Sequence, residues 1–193
     1  MSLCCEETFR ISPGFCLLTA WFAAVNGWCL TVVVLGAAAV HELGHWAVLK
    51  ALGARTLGLR IGVLGAVLAV DSRGLSYGQE LAAVLAGPAA NLLSAAVLAG
   101  VGMETAAGAH IVLGIFNLLP IRPLDGGRAL YLGTSWLLGP AAGEATARWT
   151  GAVTAVVLAA GLGWLMIRSG GSLWLLPAAV GALAAAGREC FEK

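Results

Sequence analysis

Charge is the scarce commodity in this sequence. Of 193 residues only 11% are Asp, Glu, Lys or Arg, against roughly 25% in an ordinary soluble domain. The net charge of +1 leaves neither the basic footprint of a nucleic-acid binder nor an acidic tail, so no nucleic acid is expected as a partner. Five cysteines are present, but no CxxC pair and no regular spacing, which argues against a thiolate zinc site or a disulfide framework. Cys16 and Cys29 lie in apolar runs and read as small buried hydrophobes. No internal repeat, low-complexity tract or second soluble domain is visible.

What is present is oil: 60% of the residues are hydrophobic, many in long uncharged windows such as "WTGAVTAVVLAAGLGWLMI". A soluble domain of this size has too little interior to hide that surface, so the lipid bilayer is the expected solvent. About 20 apolar residues at 1.5 Å rise cross a hydrocarbon core of about 30 Å. The runs give six expected spans, approximately 11–26, 28–51, 80–101, 106–122, 147–167 and 171–187. Tight turns at Asn26-Gly27 and at residues 169–172 separate the first pair and the last pair. The fourth run can extend past its prolines towards Leu138.

Six spans put both termini on one face. With that face cytoplasmic, Arg10, Lys50, Arg55, Arg60, Arg73, Arg122, Arg128, Arg148, Arg188 and Lys193 lie at or near it and only Arg168 lies opposite. Positive loops stay inside, so the charge bias supports both the orientation and the count.

Against this background "AAAVHELGHWAVLK", residues 37–50, is anomalous. Ionisable residues within a span point by default to a functional site. His41 and His45 are four apart, share one helix face and can grip one ion. Zinc, Zn2+, fits such imidazoles and keeps a position open for water. Glu42 lies beside the first ligand, where it can act as the general base. His45 falls about 7 Å along the axis from Lys50, and His41 about 6 Å deeper, which places the motif in the cytoplasmic half of the bilayer. The plainer alternative is a polar helix–helix contact.

Two histidines need a third ligand. Glu6, Glu7, Glu189 and Glu192 are terminal. Glu104 and His110 belong to the outer end of the connection between spans three and four. Glu80, Glu144 and Asp71 read as loop or interface charges. Asp125, in "FNLLPIRPLDGGRAL", remains. Pro120 and Pro123 break the helical ladder before it, and Gly126-Gly127 permit unusual backbone after it. Irregular backbone at membrane depth is tolerated where it lines a protein-walled cavity. An interfacial aspartate paired with Arg122 or Arg128 is the alternative.

"HELGH" in the second span followed by "NLLPIRPLDGG" in the fourth resembles the site-2 protease family of intramembrane zinc metalloproteases. "AGPAAN", residues 86–91, is similar to the GPxxN element of that family's third span. The wording around the motifs is most similar to the stage IV sporulation protease branch. The resemblance implies an all-α polytopic membrane protein of about six transmembrane helices, with a membrane-dipping β-hairpin near residues 57–70 between helices 2 and 3. It implies that His41, His45 and Asp125 hold zinc, that Glu42 is the base, and that Asn117 and Pro120 help bind substrate. Asn117 could also simply bridge two spans by a hydrogen bond.

The implied reaction is hydrolysis of a peptide bond in or next to a transmembrane segment of a membrane-associated protein, in this branch a transcription-factor precursor in sporulation or stress signalling. Inhibitory membrane-protein partners are implied as well. Two features depart from the pattern. Arg122 stands where many relatives carry proline or an aromatic residue, and a cation there opposes zinc unless it snorkels outward. Residues 1–193 read as a single membrane-embedded domain, with no nucleotide-sensing CBS domain. The hairpin segment, apolar and broken by Gly58, Gly62 and Gly65, is expected to offer an unpaired strand to which an unwound substrate adds. The opposing class is a catalytically inactive membrane scaffold or a zinc-handling protein that keeps the motifs.

Overall fold

The computed structural model describes residues 8–62, 65–71 and 74–168. The chain divides into two units, Met1–Ile115 and Phe116–Lys193. The first holds β1 (Thr8–Ile11), α1 (Pro13–Asn26), α2 (Trp28–Ala51), β2 (Arg55–Gly62), β3 (Gly65–Asp71), α3 (Tyr77–Gly100) and most of α4 (Glu104–Asn117). The second holds the end of α4, α5 (Asp125–Leu138) and α6 (Pro140–Arg168). The described residues are thus mostly helical, with six helices.

Local chemistry sets the helix ends. Ser12 caps α1 by accepting from the Phe15 N–H at 3.2 Å, with Pro13 in the first turn, where a missing N–H costs nothing. Gly27, at φ +84°, makes the turn into α2 that Asn26-Gly27 foretold. Ser76 and Gln79 form a reciprocal capping box. Helix α3 therefore starts at Tyr77, before the apolar run expected from residue 80.

Helices α2, α3 and α6, of 24, 24 and 29 residues, are long and apolar enough to cross a membrane. At 1.5 Å rise, 24 residues reach about 36 Å. They overlap the expected spans 28–51, 80–101 and 147–167, with α6 beginning seven residues before the third of these. Helix α1 is apolar but shorter, with 14 residues. The expected fourth span, 106–122, ends as a helix at Asn117. A turn then leads into α5, a separate helix that a single continued span did not foresee. The expected sixth span, 171–187, lies outside the described residues.

Packing is inverted relative to a soluble protein. In the first unit the buried apolar residues are mainly Ala23, Ala37, Ala83, Ala95 and Ala107; in the second, Ala147, Ala152, Ala155 and Ala159 join Ile121 and Leu132. Large side chains such as Trp28, Leu93, Trp149 and Ile167 point outward. Small residues let helix backbones approach where lipid, not water, is the competing solvent. Cys16 and Cys29 are exposed, correcting the expectation that they are buried: they belong to the outward faces of α1 and α2.

The chain is not purely helical. Strands form a three-stranded sheet in the order β1-β2-β3. Strand β2 pairs antiparallel with β3 and parallel with β1, with Phe9 opposite Leu59. The Ser12 N–H extends the parallel pairing by donating to the Ile61 carbonyl at 2.8 Å. Both edges of β2 are taken, the second by an N-terminal strand whose four residues were too short to recognise as one, so the expected open edge of the hairpin is not on β2. A strand-adding partner has only the outer edges of β1 and β3 among the described strands.

Candidate metal centre

In the first unit, the 400° turn over four residues brings His41 and His45 to one face of α2. Their ring centroids are 4.7 Å apart, edge to face, and the two Nε2 atoms are 3.1 Å apart. His41 is buried; Glu42 and His45 are half-buried.

Helix α3 supplies what lies behind the rings. Ala83, Gly87 and Asn91 follow one another at four-residue steps and so line one helix face. The His45 Nδ1 lies 2.8 Å from the Ala83 carbonyl oxygen. A carbonyl can only accept, so Nδ1 carries the proton and Nε2 presents a lone pair. A Cβ on Gly87 would run into the His45 ring, and one on Gly44 would lie 2.6 Å from the Ala86 carbonyl oxygen. The two glycines are what allow α2 and α3 to approach this closely. Asn91, fully buried, places its amide 3.2 Å from His41 Nδ1. Orienting partners behind both imidazoles are the usual outer shell of a histidine metal site. Two convergent ring nitrogens, each braced from behind, fit zinc.

The second unit carries the remaining expected residues on a tight turn. Asn117 ends α4, Pro120 lies in the turn, and Asp125 opens α5; all three are half-buried. The turn is held by main-chain bonds from Ile121 N–H to Leu119 O and from Leu124 N–H to Ile121 O, both 2.8 Å. Ile121 anchors it against Leu119, Leu124, Ala155 and Leu158. Gly126 and Gly127 are ordinary helical residues, which corrects the expectation of unusual backbone there. They are needed for space: a Cβ on either would strike the main chain of Leu118-Leu119 or of Ile121-Arg122.

Arg122 turns to Glu144 and donates two hydrogen bonds, at 3.0 and 2.8 Å. Its charge therefore meets a carboxylate rather than standing bare. Glu144, read from sequence as a plain loop or interface charge, is its partner.

No protein-family model matches the chain. Among solved structures, the site-2 protease from Methanocaldococcus jannaschii superposes with a TM-score of 0.69 at 22% identity, over 98% of this chain and 93% of that one. The fold is that of a site-2 protease. Rip3 of Mycobacterium tuberculosis, provisionally named a zinc metalloprotease, is 30% identical over 182 residues, in two strains alike. The match takes in 84% of this chain but 45% of Rip3, so the chain spans about half the length of the curated relatives it matches. With this fold, HELGH lies on a helix long enough to span a membrane, and AGPAAN gains a physical meaning. Gly87 makes room for one imidazole, and Asn91 meets the other.

One residue was misplaced by sequence. His110 was assigned to an outer connection; it is buried within α4, with Nδ1 3.1 Å from the Asn91 amide. The available signal was its rarity, one of three histidines in a chain of little charge.

Proposed function

We propose that this chain is a membrane zinc metalloprotease of the site-2 protease family, hydrolysing a peptide bond in or next to a transmembrane segment of a membrane-associated protein. The observation that carries the reading is the convergence of the His41 and His45 Nε2 atoms at 3.1 Å on a span-length helix. Asp125 is the proposed third ligand. Two imidazoles and a carboxylate make a donor set that zinc accepts. Zinc, when bound, supplies Lewis acidity and brings the pKa of a water down to about 7.

The residues of the chain do the rest. Glu42 is adjacent to His41 on α2, where its carboxylate takes a proton from the attacking water and returns it to the leaving amine. Asn117 offers two amide N–H groups to the substrate carbonyl oxygen, and Pro120 helps fix the turn against which substrate lies.

The motif wording alone supports the finer parts of the reading: placement in the stage IV sporulation branch, a transcription-factor precursor as substrate, and inhibitory membrane partners. The charge bias supports cytoplasmic termini and a site in the cytoplasmic half of the bilayer. The β2–β3 pair is the proposed membrane-dipping hairpin.

Zinc content and cleavage of a membrane-anchored reporter, measured together in detergent, test the reading. Wild type should hold one zinc, and Asp125→Ala should lose most of it. Glu42→Gln should keep the zinc and lose about 10²–10⁴-fold in cleavage, the range for a missing general base. Zinc unaffected by Asp125→Ala would remove Asp125 from the site. A wild type without zinc and without cleavage would leave a membrane scaffold.

A further inference from the structure

The three histidines of the chain lie on one hydrogen-bonded line. It runs from His110 on α4 to Asn91 on α3, then to His41 and His45 on α2, with separations of 3.1, 3.2 and 3.1 Å. Asn91 and His110 are buried at 0% and 6% exposure. A polar link at that depth costs stability unless each atom finds its partner.

Protons can be assigned along the line because one end is fixed. His45 donates a hydrogen bond from its Nδ1–H to the Ala83 carbonyl and so accepts at Nε2. His41 then donates from Nε2 and accepts at Nδ1 from the Asn91 Nδ2. The Asn91 Oδ1 in turn accepts from the His110 Nδ1. Each contact has one donor and one acceptor.

Metal binding requires the opposite pattern. A cation taken at His41 Nε2 needs the lone pair there, which moves the ring proton to Nδ1. That N–H finds an acceptor only if Asn91 turns its Oδ1 towards His41. The Nδ2 of Asn91 then faces His110, which must present a lone pair at Nδ1 and hold its proton at Nε2. Each ring keeps one proton throughout, so no net charge moves.

We propose that His110 is a positioning residue for the metal centre: acting through Asn91 it sets the tautomer of His41, and the Asn91 amide and the His110 proton invert together when zinc binds. This rests on the reading of His41 and His45 as zinc ligands. Outer-shell partners of zinc-bound histidines are worth about 10–100-fold in metal affinity, which is the scale expected here.

The test uses the full chain in detergent, stripped of metal and titrated with zinc against a competing chelator. His110→Leu keeps the bulk and removes the hydrogen bond; its zinc dissociation constant should rise about 10-fold or more. His110→Asn places an amide atom where Nδ1 stood, able to donate or accept, and should recover most of the affinity. In wild type labelled with 15N-histidine, zinc should shift the His110 proton from Nδ1 to Nε2. The proposal is overturned if His110→Leu binds zinc as wild type does, or if His110 keeps its Nδ1 proton in the zinc form. Should His110→Leu fail to fold, the tautomer of wild type decides by itself. A wild type that takes up no zinc would sink the underlying reading and this inference with it. Normal zinc binding by all three proteins would sink the inference alone.

Discussion

The facing surfaces of α2 and α3 and the turn between α4 and α5 both depend on glycine, in different ways. On the helix pair, the space beside Gly87 is filled by a side chain, the His45 ring. In the turn, the space beside Gly126 is filled by the main chain of Leu118 and Leu119. A ring can shift by a torsion; a peptide group held by neighbouring hydrogen bonds cannot. The same residue type therefore seats an imidazole, the proposed zinc ligand His45, in one place and fixes the path of the chain in the other. The two regions should fail differently when a single methyl group is added.

Gly126→Ala should give the largest loss. Its Cβ meets main-chain carbonyls, and overpacking typically costs about 1–3 kcal/mol, with the upper end expected because backbone is the obstacle. Gly133 lies in the same helix with nothing near its Cβ position. Gly133→Ala should therefore stabilise slightly, by up to about 1 kcal/mol of helix propensity. Thermal unfolding in detergent compares the two. Equal melting temperatures would mean that the turn does not constrain the chain as the distances say.

Gly87→Ala should show the opposite signature: a protein that melts close to wild type but binds zinc about 10-fold or more weakly. The added methyl displaces the His45 ring from the Ala83 carbonyl, so Nδ1 loses the partner that fixes its proton. Chelator competition measures the affinity and a parallel melt measures the fold. A large loss of stability at unchanged affinity would erase the contrast between the regions.

The same contrast governs what the sequence discloses. The meeting of His41 and His45 on one helix face was legible because a four-residue spacing and the helix period are both local and fixed. Trp28–Ala51 was legible because a tight glycine turn and a lysine bracket an apolar run. The start of α3 was set three residues late, since hydrophobicity does not register the polar Ser76 and Gln79 that cap it. Strand β1 was invisible: four residues carry no period, and what makes them a strand is β2, more than 40 residues on. His110 was dismissed on its place along the chain, whereas its partner Asn91 belongs to a different helix. The role of Gly126-Gly127 was misread for a related reason, as sequence reports that a residue is small but not what comes close to it. Local periodicity can be read from the string; contacts between distant segments have to be seen.

The smallest effect belongs to Arg122 and Glu144, and it sharpens the picture of the second unit. Their bidentate geometry is good, but the side chains are 41% and 54% exposed. Where exposure is to water, such a pair contributes about 0–1 kcal/mol and weakens further with salt, since screening acts over about 8 Å at physiological ionic strength. Glu144→Gln should then lower the melting temperature only slightly, and by less at high salt. Where the exposed face meets lipid instead, removing one partner strands a charge without water, and the loss rises to about 3–5 kcal/mol with little salt dependence. In the proposed orientation Arg122 lies at the cytoplasmic membrane face, and the small, salt-sensitive result is the one expected. A large, salt-insensitive loss would move the turn, and Asp125 with it, deeper into the bilayer than the charge pattern allows.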